Sequence, residues 1–348
     1  MVTARIAGLG TAFPPSYTQD ELWQEVFRWH FSRSRVADRI FKSSGIQQRH
    51  SASELGELRA IAESSTEERM RRYGELAPPL GLAAVRDALA AAGTEPEDLG
   101  LLTVVTCTGY RTPGLDIELA KALPLSADAR RLLIGHTGCH AALPALGTVA
   151  DYVSTHRRPA ALLCLELTSL HLQPPAVDPE QMVSHALFSD AASALVLRPD
   201  DSPSLGLRVV DIAARTDTGR SEQMTWDVTD LGFRMGLSPE VPDALAEHVG
   251  PLVKDLLGRH GHDLTDVHGW AVHPGGPRIL GAVEEGLALG PTALAASRKV
   301  LAEHGNCSSA TVLLVLSELL AEGAPSGPIV ALAFGPGLTL YAALLEPA

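Results

Sequence analysis

The strongest constraint on the fold is that the sequence repeats its pattern at an interval of about 167 residues. Residues 81–93, GLAAVRDALAAAG, read as an amphipathic helix closed by glycine, and 250–261, GPLVKDLLGRHG, read the same way. An acidic turn and an apolar strand follow each, LLTVVTC at 101–107 and GWAVH at 269–273. Further on, GCHAALPALGTVADYV and then ALLCLE are answered by GNCSSATVLLVLSELL and then IVALAF. Gly93 and Gly261 are 168 residues apart, Cys107 and His273 are 166 apart, and Cys139 and Asn306 are 167 apart. Residue identity between the copies is low, so the order of elements carries the match. Strands alternating with helices predict a layered α/β architecture in two similar halves, residues 1–200 and 201–348. If such halves pack face to face, the strand ends Cys107 and His273 and the helix starts Cys139 and Asn306 converge.

Composition narrows what such a site could serve. With 348 residues, 45% of them hydrophobic, the chain can bury a large core. A formal charge of −13 argues against nucleic acid or an anionic membrane as partner, because both demand a basic surface. The N-terminal MVTARIAGLGTAFPP is not a basic segment leading into an apolar run, and no stretch approaches the length of a membrane span, which predicts a cytoplasmic protein. Cys107, Cys139, Cys164 and Cys307 form no CxxC pair and should be reduced thiols. His136, Cys139 and His140 lie close together, but no second ligand pair follows at a zinc-finger spacing, and no metal is expected.

The convergent positions suit nucleophilic chemistry. A thiol becomes reactive when a helix N-terminus and a neighbouring imidazole lower its pKa, and Cys139 has the first in sequence. Pro144 disturbs a helix that begins at the cysteine, unless the helix proper starts near Pro144. Alone, Cys139 reads first as a packed apolar thiol, and its partners change that. His273 ends a strand at His-Pro and turns on two glycines, a setting that presents a side chain at a sheet edge. Asn306 precedes a helix, where its ordinary role is an N-cap, yet its amide and an imidazole aimed at one oxygen would stabilise an oxyanion.

Four motifs together, GCHAA around Cys139, WAVHPGGPRIL around His273, HGNCSSATVL around Asn306 and AFGPGLT near the C-terminus, resemble type III polyketide synthases of the chalcone synthase type. Supporting segments are TCTGYRTPGLDIELAKAL at 106–123 and SHALFSDAASALVL at 184–197. The resemblance implies the thiolase fold, five layers αβαβα built from two similar halves, and a homodimer. It implies that Cys139 accepts an acyl group from an acyl-CoA starter, with His273 keeping the thiol ionised. His273 and Asn306 then hold the thioester oxygen of malonyl-CoA during decarboxylation, and the enolate attacks the enzyme-bound acyl group. Cyclisation to an aromatic or pyrone product follows, with no cofactor beyond the CoA thioesters.

The same resemblance assigns Phe188 as a gate between the CoA tunnel and the catalytic cavity. Arg39 falls where CoA phosphates would be met; Arg35 and Lys42 join it on charge, although a solvated helix face explains all three. Cys107, Thr108, Thr168, Ser308, Gly335 and Pro336 fall at cavity-wall positions. Thr112 replaces a methionine that reaches the partner subunit's cavity. His171 stands for a cavity threonine, Trp226 for a cavity glycine and Met235 for a second gating phenylalanine. Several of these choices look bacterial, and Trp226 takes space from a growing chain unless the tunnel opens elsewhere. A ketoacyl synthase III-like enzyme performing one condensation, with an acyl carrier protein as donor, shares the Cys-His-Asn set. A papain-like hydrolase shares their order but not the surrounding signature. A non-catalytic acyl-CoA-binding protein would leave Cys139 unlabelled.

Overall fold

The computed structural model describes residues 3–200, 206–321, 323 and 326–348, so the expected boundary between 200 and 201 falls at the edge of a stretch outside the described residues. Nine strands form one sheet: β1 (Ala4–Ala12), β2 (Leu101–Thr106), β3 (Arg130–Gly135), β4 (Ala160–Glu166), β5 (Ala191–Pro199), β6 (Leu207–Thr216), β7 (Gly269–Val272), β8 (Ile329–Gly335) and β9 (Thr339–Pro347). Their order is β7-β8-β9-β6-β1-β5-β4-β2-β3. Outward from the centre, β1, β5 and β4 pair antiparallel, and β4, β2 and β3 pair parallel. In the other direction β6, β9 and β8 pair antiparallel, and β8 and β7 pair parallel. The two runs meet at β1 and β6 through only Arg5↔Arg208 and Ile6↔Leu207.

The longer helices are α1 (Arg35–Lys42), α2 (Thr66–Ala92), α3 (Leu115–Ala122), α4 (Ala142–His156), α5 (Pro179–Leu187), α6 (Val241–Arg259), α7 (Pro277–Leu287), α8 (Ala295–His304) and α9 (Thr311–Ala321). Helix α9 is apolar on nearly every face and largely covered, α4 buries one broad apolar face and leaves Thr148 and Asp151 exposed, and the two lie in one core between the two sheet runs. On the outer faces, α2 and α3 cover the first run, and α6 and α7 cover the second. The layers therefore read αβαβα. Strands β2, β4 and β8, covered on both faces, are fully buried along their lengths, which is why their sequences are mostly apolar.

Two helices exceed what periodicity predicts. The segment at 81–93 is the end of the 27-residue α2, which runs through Pro78 and Pro79 before closing at Gly93 in the left-handed region, φ 56°. The segment at 250–261 belongs to α6, which starts nine residues earlier, at Val241, and contains Pro251. Proline signals a helix stop locally, but packing against the sheet outweighs a lost hydrogen bond. One strand stays open: β3 pairs with β2 alone, is mostly exposed, and presents Leu132 and Leu133. Among the described residues no helix is long and apolar enough to cross a membrane.

Candidate active site

Strand β2 ends at Thr106 and delivers Cys107 and Thr108 into the interior. Parallel to it, β3 ends at Gly135, and a short turn leads to Cys139. Gly138 in that turn has φ +93°, and a Cβ there would collide with Pro336, so the close approach of the FGPG segment depends on the glycine. Helix α4 begins three residues after Cys139, at Ala142. Pro144 lies in its first turn, where a missing N–H costs no intrahelical bond, and the difficulty it raised in sequence disappears.

Cys139, His273 and Asn306 open onto one cavity of about 430 Å³. His273 is held at the end of β7 by its N–H donating to the Leu332 carbonyl at 2.8 Å. Asn306 is clamped to the segment around Phe188: its N–H donates to the Leu187 carbonyl at 2.9 Å, and its carbonyl accepts from Ser189 N–H at 2.9 Å. Its side chain divides two tasks. Oδ1 accepts the Ser308 N–H at 2.9 Å, as a cap would, and Nδ2 donates weakly to the Gly275 carbonyl at 3.5 Å. The Ser308 hydroxyl contacts the Cys139 sulfur at 3.4 Å.

Burial acts on the nucleophile against the expected direction. Desolvation pushes the Cys139 thiol up to about 11, opposed by the Ser308 hydrogen bond, and the Glu166 charge adds to the rise. Desolvation and then His140 lower the His273 imidazole to about 3, and its Nδ1 has no partner among the described residues. Taken one at a time, both groups are pushed by burial towards their neutral forms, because a buried charge is costly unless it is paired. The other thiols are also pushed up by burial, Cys107 and Cys164 well above the usual range.

Phe188 lines the large cavity and also a second one of about 20 Å³ behind it. The smaller space is walled by Cys107, Thr108, Thr168, Trp226, Met235, Ser308 and Pro336. Trp226 and Met235 face each other across the hairpin Met224–Thr229/Gly232–Leu237, and the Trp226 indole N–H donates to the Cys107 carbonyl at 2.8 Å. The indole is thus fixed where it fills the inner space. Gly335 packs against the backbone of Cys139 and His140, where a Cβ would strike the His140 ring.

His171 lines a third space, of about 60 Å³, shared with Thr168, Phe188, Trp226 and Met235; its Nε2 bonds the Thr108 carbonyl at 2.7 Å, its Nδ1 accepts the Phe233 N–H at 3.0 Å, and it stacks on Phe233. It props the wall from behind. Thr112 lies in the exposed loop before α3. Lys42 pairs with Asp38 at 2.8 Å. Arg35 and Arg39 are exposed on α1, whose Ile40 lines the large cavity together with Ser43 and Ser44 just beyond it.

Two residues escaped sequence reasoning. Glu166, fully buried at the end of β4, accepts from Cys107 N–H at 2.9 Å, the Thr108 hydroxyl at 2.8 Å and the Ser309 hydroxyl at 2.5 Å, tying together the three segments around Cys139. Burial raises its carboxyl to about 7. The signal was present in ALLCLE, an acid ending an otherwise apolar strand. Arg278 stands at the cavity mouth, in the WAVHPGGPRIL motif itself. Among the described residues no cluster of His, Cys, Asp and Glu could hold a metal ion.

Comparison with known proteins places this geometry in context. Residues 2–201 match the family model of the N-terminal domain of chalcone and stilbene synthases, and residues 214–347 match the model of the C-terminal domain. The alpha-pyrone synthesis polyketide synthase-like Pks18 of Mycobacterium tuberculosis is 33% identical over 80% of this chain and 73% of its own. The 1,3,6,8-tetrahydroxynaphthalene synthase of Streptomyces peucetius is 32% identical over 98% of this chain and 92% of its own. Among solved structures, PKS-I of the brown alga Ectocarpus siliculosus superposes with a TM-score of 0.92 at 30% identity, covering 100% of this chain and 99% of that one. The tetrahydroxynaphthalene synthase of Streptomyces coelicolor has a TM-score of 0.92 at 26% identity, covering 98% and 99%.

Proposed function

The chain belongs to the chalcone and stilbene synthase family of type III polyketide synthases, condensing enzymes that act on malonyl-CoA, and on that premise we propose that Cys139 carries the acyl chain while His273 and Asn306 manage the oxyanions. The observation that carries this reading is the opening of Cys139, His273 and Asn306 onto one cavity that Phe188 also lines.

In the loading step the neutral His273 imidazole takes the Cys139 proton as sulfur attacks the thioester carbonyl of the starter. Ion-pair charge is then needed only in transit, and the proton leaves on the departing CoA thiol. His273 returns to the neutral form that its burial favours, with an N–H to donate. Malonyl-CoA follows. Its thioester oxygen accepts from His273 and Asn306 Nδ2, carbon dioxide leaves, and the enolate carbon attacks the acyl-cysteine carbonyl, releasing the thiolate and lengthening the chain by two carbons. Each donor aimed at such an oxygen is worth roughly two to three orders of magnitude in rate. These steps need no group beyond the CoA thioesters.

The fixed Trp226 and the inner space of about 20 Å³ support a small number of extensions, closed to a pyrone or a small aromatic ring. Arg39 and Arg35, with Arg278 on the opposite lip, are the groups we assign to the CoA phosphates. A homodimer through the open edge of β3 fits its exposed Leu132 and Leu133, and the absence of a membrane-length helix among the described residues fits a cytoplasmic enzyme. We also assign residues 1–200 and 201–348 to two copies of one ancestral unit.

The decisive experiment is mass spectrometry of products formed from malonyl-CoA and a panel of acyl-CoA starters. Short polyketide pyrones or rings are expected. Products of a single condensation from every starter would replace this reading with that of a ketoacyl synthase III-like enzyme.

A further inference from the structure

The phosphopantetheine arm that enters the large cavity is the same whether it ends in CoA or in a carrier protein. The cavity cannot tell these donors apart; only the surface outside it can. That surface is unlike the rest of the molecule. Between residues 28 and 42 lie Arg28, Arg33, Arg35, Arg39 and Lys42 against a single acid, Asp38, in a chain whose formal charge is −13. All five basic residues are exposed, and Asp38 is already taken by Lys42.

Two large apolar side chains stand out in the same field. Trp29 is 51% exposed and Val36 is 59% exposed. The Arg33 guanidinium lies 4.3 Å from the centre of the Trp29 ring, which joins the short helix Arg28–His30 to the turn before α1. Tryptophan and arginine side by side are the composition of a protein-binding hot spot rather than of a solvated helix face. The patch also has a defined relation to the site, because Ile40 of α1, one turn beyond Val36, lines the cavity that leads to Cys139. CoA phosphates would account for Arg39 and Arg35 near that mouth. They do not account for an exposed tryptophan and valine farther back on the same surface.

We propose that this face docks an acidic acyl carrier protein, which supplies the starter as a thioester on its phosphopantetheine arm. The inference rests on the assignment of Cys139 as the acyl acceptor. The chemistry is thioester exchange: the Cys139 sulfur–acyl bond forms, the pantetheine sulfur–acyl bond breaks, and the pantetheine thiol leaves with the proton. Carrier charge complements the patch, and attraction between them raises the encounter rate in a salt-dependent way.

The test uses the full chain, a bacterial fatty-acid acyl carrier protein bearing hexanoyl, octanoyl or decanoyl groups, and the same groups on CoA. Acylation of Cys139 is followed by intact mass, and binding of the unacylated holo carrier is measured by titration. Transfer from the carrier should fall at least about tenfold in Trp29→Ala, Arg33→Glu and Val36→Asp, while transfer from CoA stays within about twofold and Arg33→Lys retains activity. Transfer from the carrier, but not from CoA, should also slow sharply on raising salt to about 0.3 M. Failure of the wild-type chain to bind or accept from the carrier overturns the proposal. So does equal loss from both donors, which would mean that Trp29 meets the CoA nucleotide, and so does loss of binding to phosphatidylglycerol vesicles with carrier transfer unchanged. If CoA esters also fail to acylate Cys139, the proposed function falls, and carrier binding alone decides the docking face.

Discussion

The two ends of the nine-stranded sheet follow one plan until the connection between the parallel strand and the central helix. In the first half β2 leads through α3 to a further strand, β3, and then to Cys139 and α4. In the second half β7 leads through two helices, α7 and α8, to Asn306 and α9. Both routes deliver a polar side chain to the start of an apolar helix in the central layer. The first also leaves an open strand edge carrying Leu132 and Leu133, whereas the second places Arg278 at the cavity mouth. Strand ends and helix starts are held by the shared core, so the connections between them were free to diverge, into the open edge proposed for a second subunit and the lip proposed for the CoA ester.

The sharpest test of that division is to remove the two equivalent side chains. Cys139→Ala should abolish acyl loading, a loss beyond about a thousandfold, whereas Asn306→Ala should keep loading and lose decarboxylation by roughly a hundred- to thousandfold. Acyl-enzyme formation and carbon dioxide release, measured side by side, check this. A parallel loss of both activities in Asn306→Ala, with a lowered melting temperature, would make the Ser308 N–H contact its main task, worth about 1 kcal/mol as a cap.

The open edge can be broken separately. Leu133→Arg should weaken self-association at least about tenfold, since a charge at the centre of an apolar contact is costly to desolvate. Analytical ultracentrifugation should show a shift towards the 36.8 kDa single chain, and an unchanged mass would leave β3 without the proposed role.

Trp226→Ala compares the two sides of Phe188. Losing the indole opens the inner space of about 20 Å³, so the main product should gain one or more malonyl-derived units at similar total turnover. Product masses unchanged from the parent would mean that the chain grows in the outer cavity instead.

The smallest effect is on stability against acid. Burial lowers His171 and His185 to about 3 and His30 and His140 to about 4 in the first half, and His273 to about 3 and His304 to about 4 in the second. Between those values and the ordinary 6.5 the unfolded chain binds protons that the folded chain refuses, so stability falls as pH drops through the window. Glu166, raised to about 7, acts the other way: its contribution is present below the ordinary carboxylate value of 4.5 and is lost as pH rises to 7. His50 and His136 are lowered as well, and the buried Asp190 carboxyl is raised; eight imidazoles outweigh two carboxyls, and the melting temperature should drop by several degrees from pH 7 to pH 5. Hydrogen exchange should show the first half loosening earlier, since it holds six of the eight. A flat profile would mean that these rings protonate without unfolding.

Particular residues mark how far the chain could be read without its fold. The Cys107, Cys139, His273 and Asn306 offsets were visible because each position ends or begins an element whose periodicity is strong. Pro144 misled only until the helix start was known. His171 shows a limit of the motif, which fixes where the backbone runs but not which of the neighbouring spaces a ring faces. Glu166 was overlooked because its importance lies in three hydrogen bonds to segments 59, 58 and 143 residues away.

What the sequence determined by itself was the alternation of elements, the interval between the copies and the motifs that announce the family, all properties of local pattern and spacing. The tertiary structure alone decided the burial of Cys139 and His273, the holding of the Asn306 amide by Ser308 and Gly275, and the filling of the inner space by Trp226. The physical reason is that desolvation, hydrogen-bond partnership and free volume belong to groups distant in the chain, and none of them exists until the two halves have closed around the central helices.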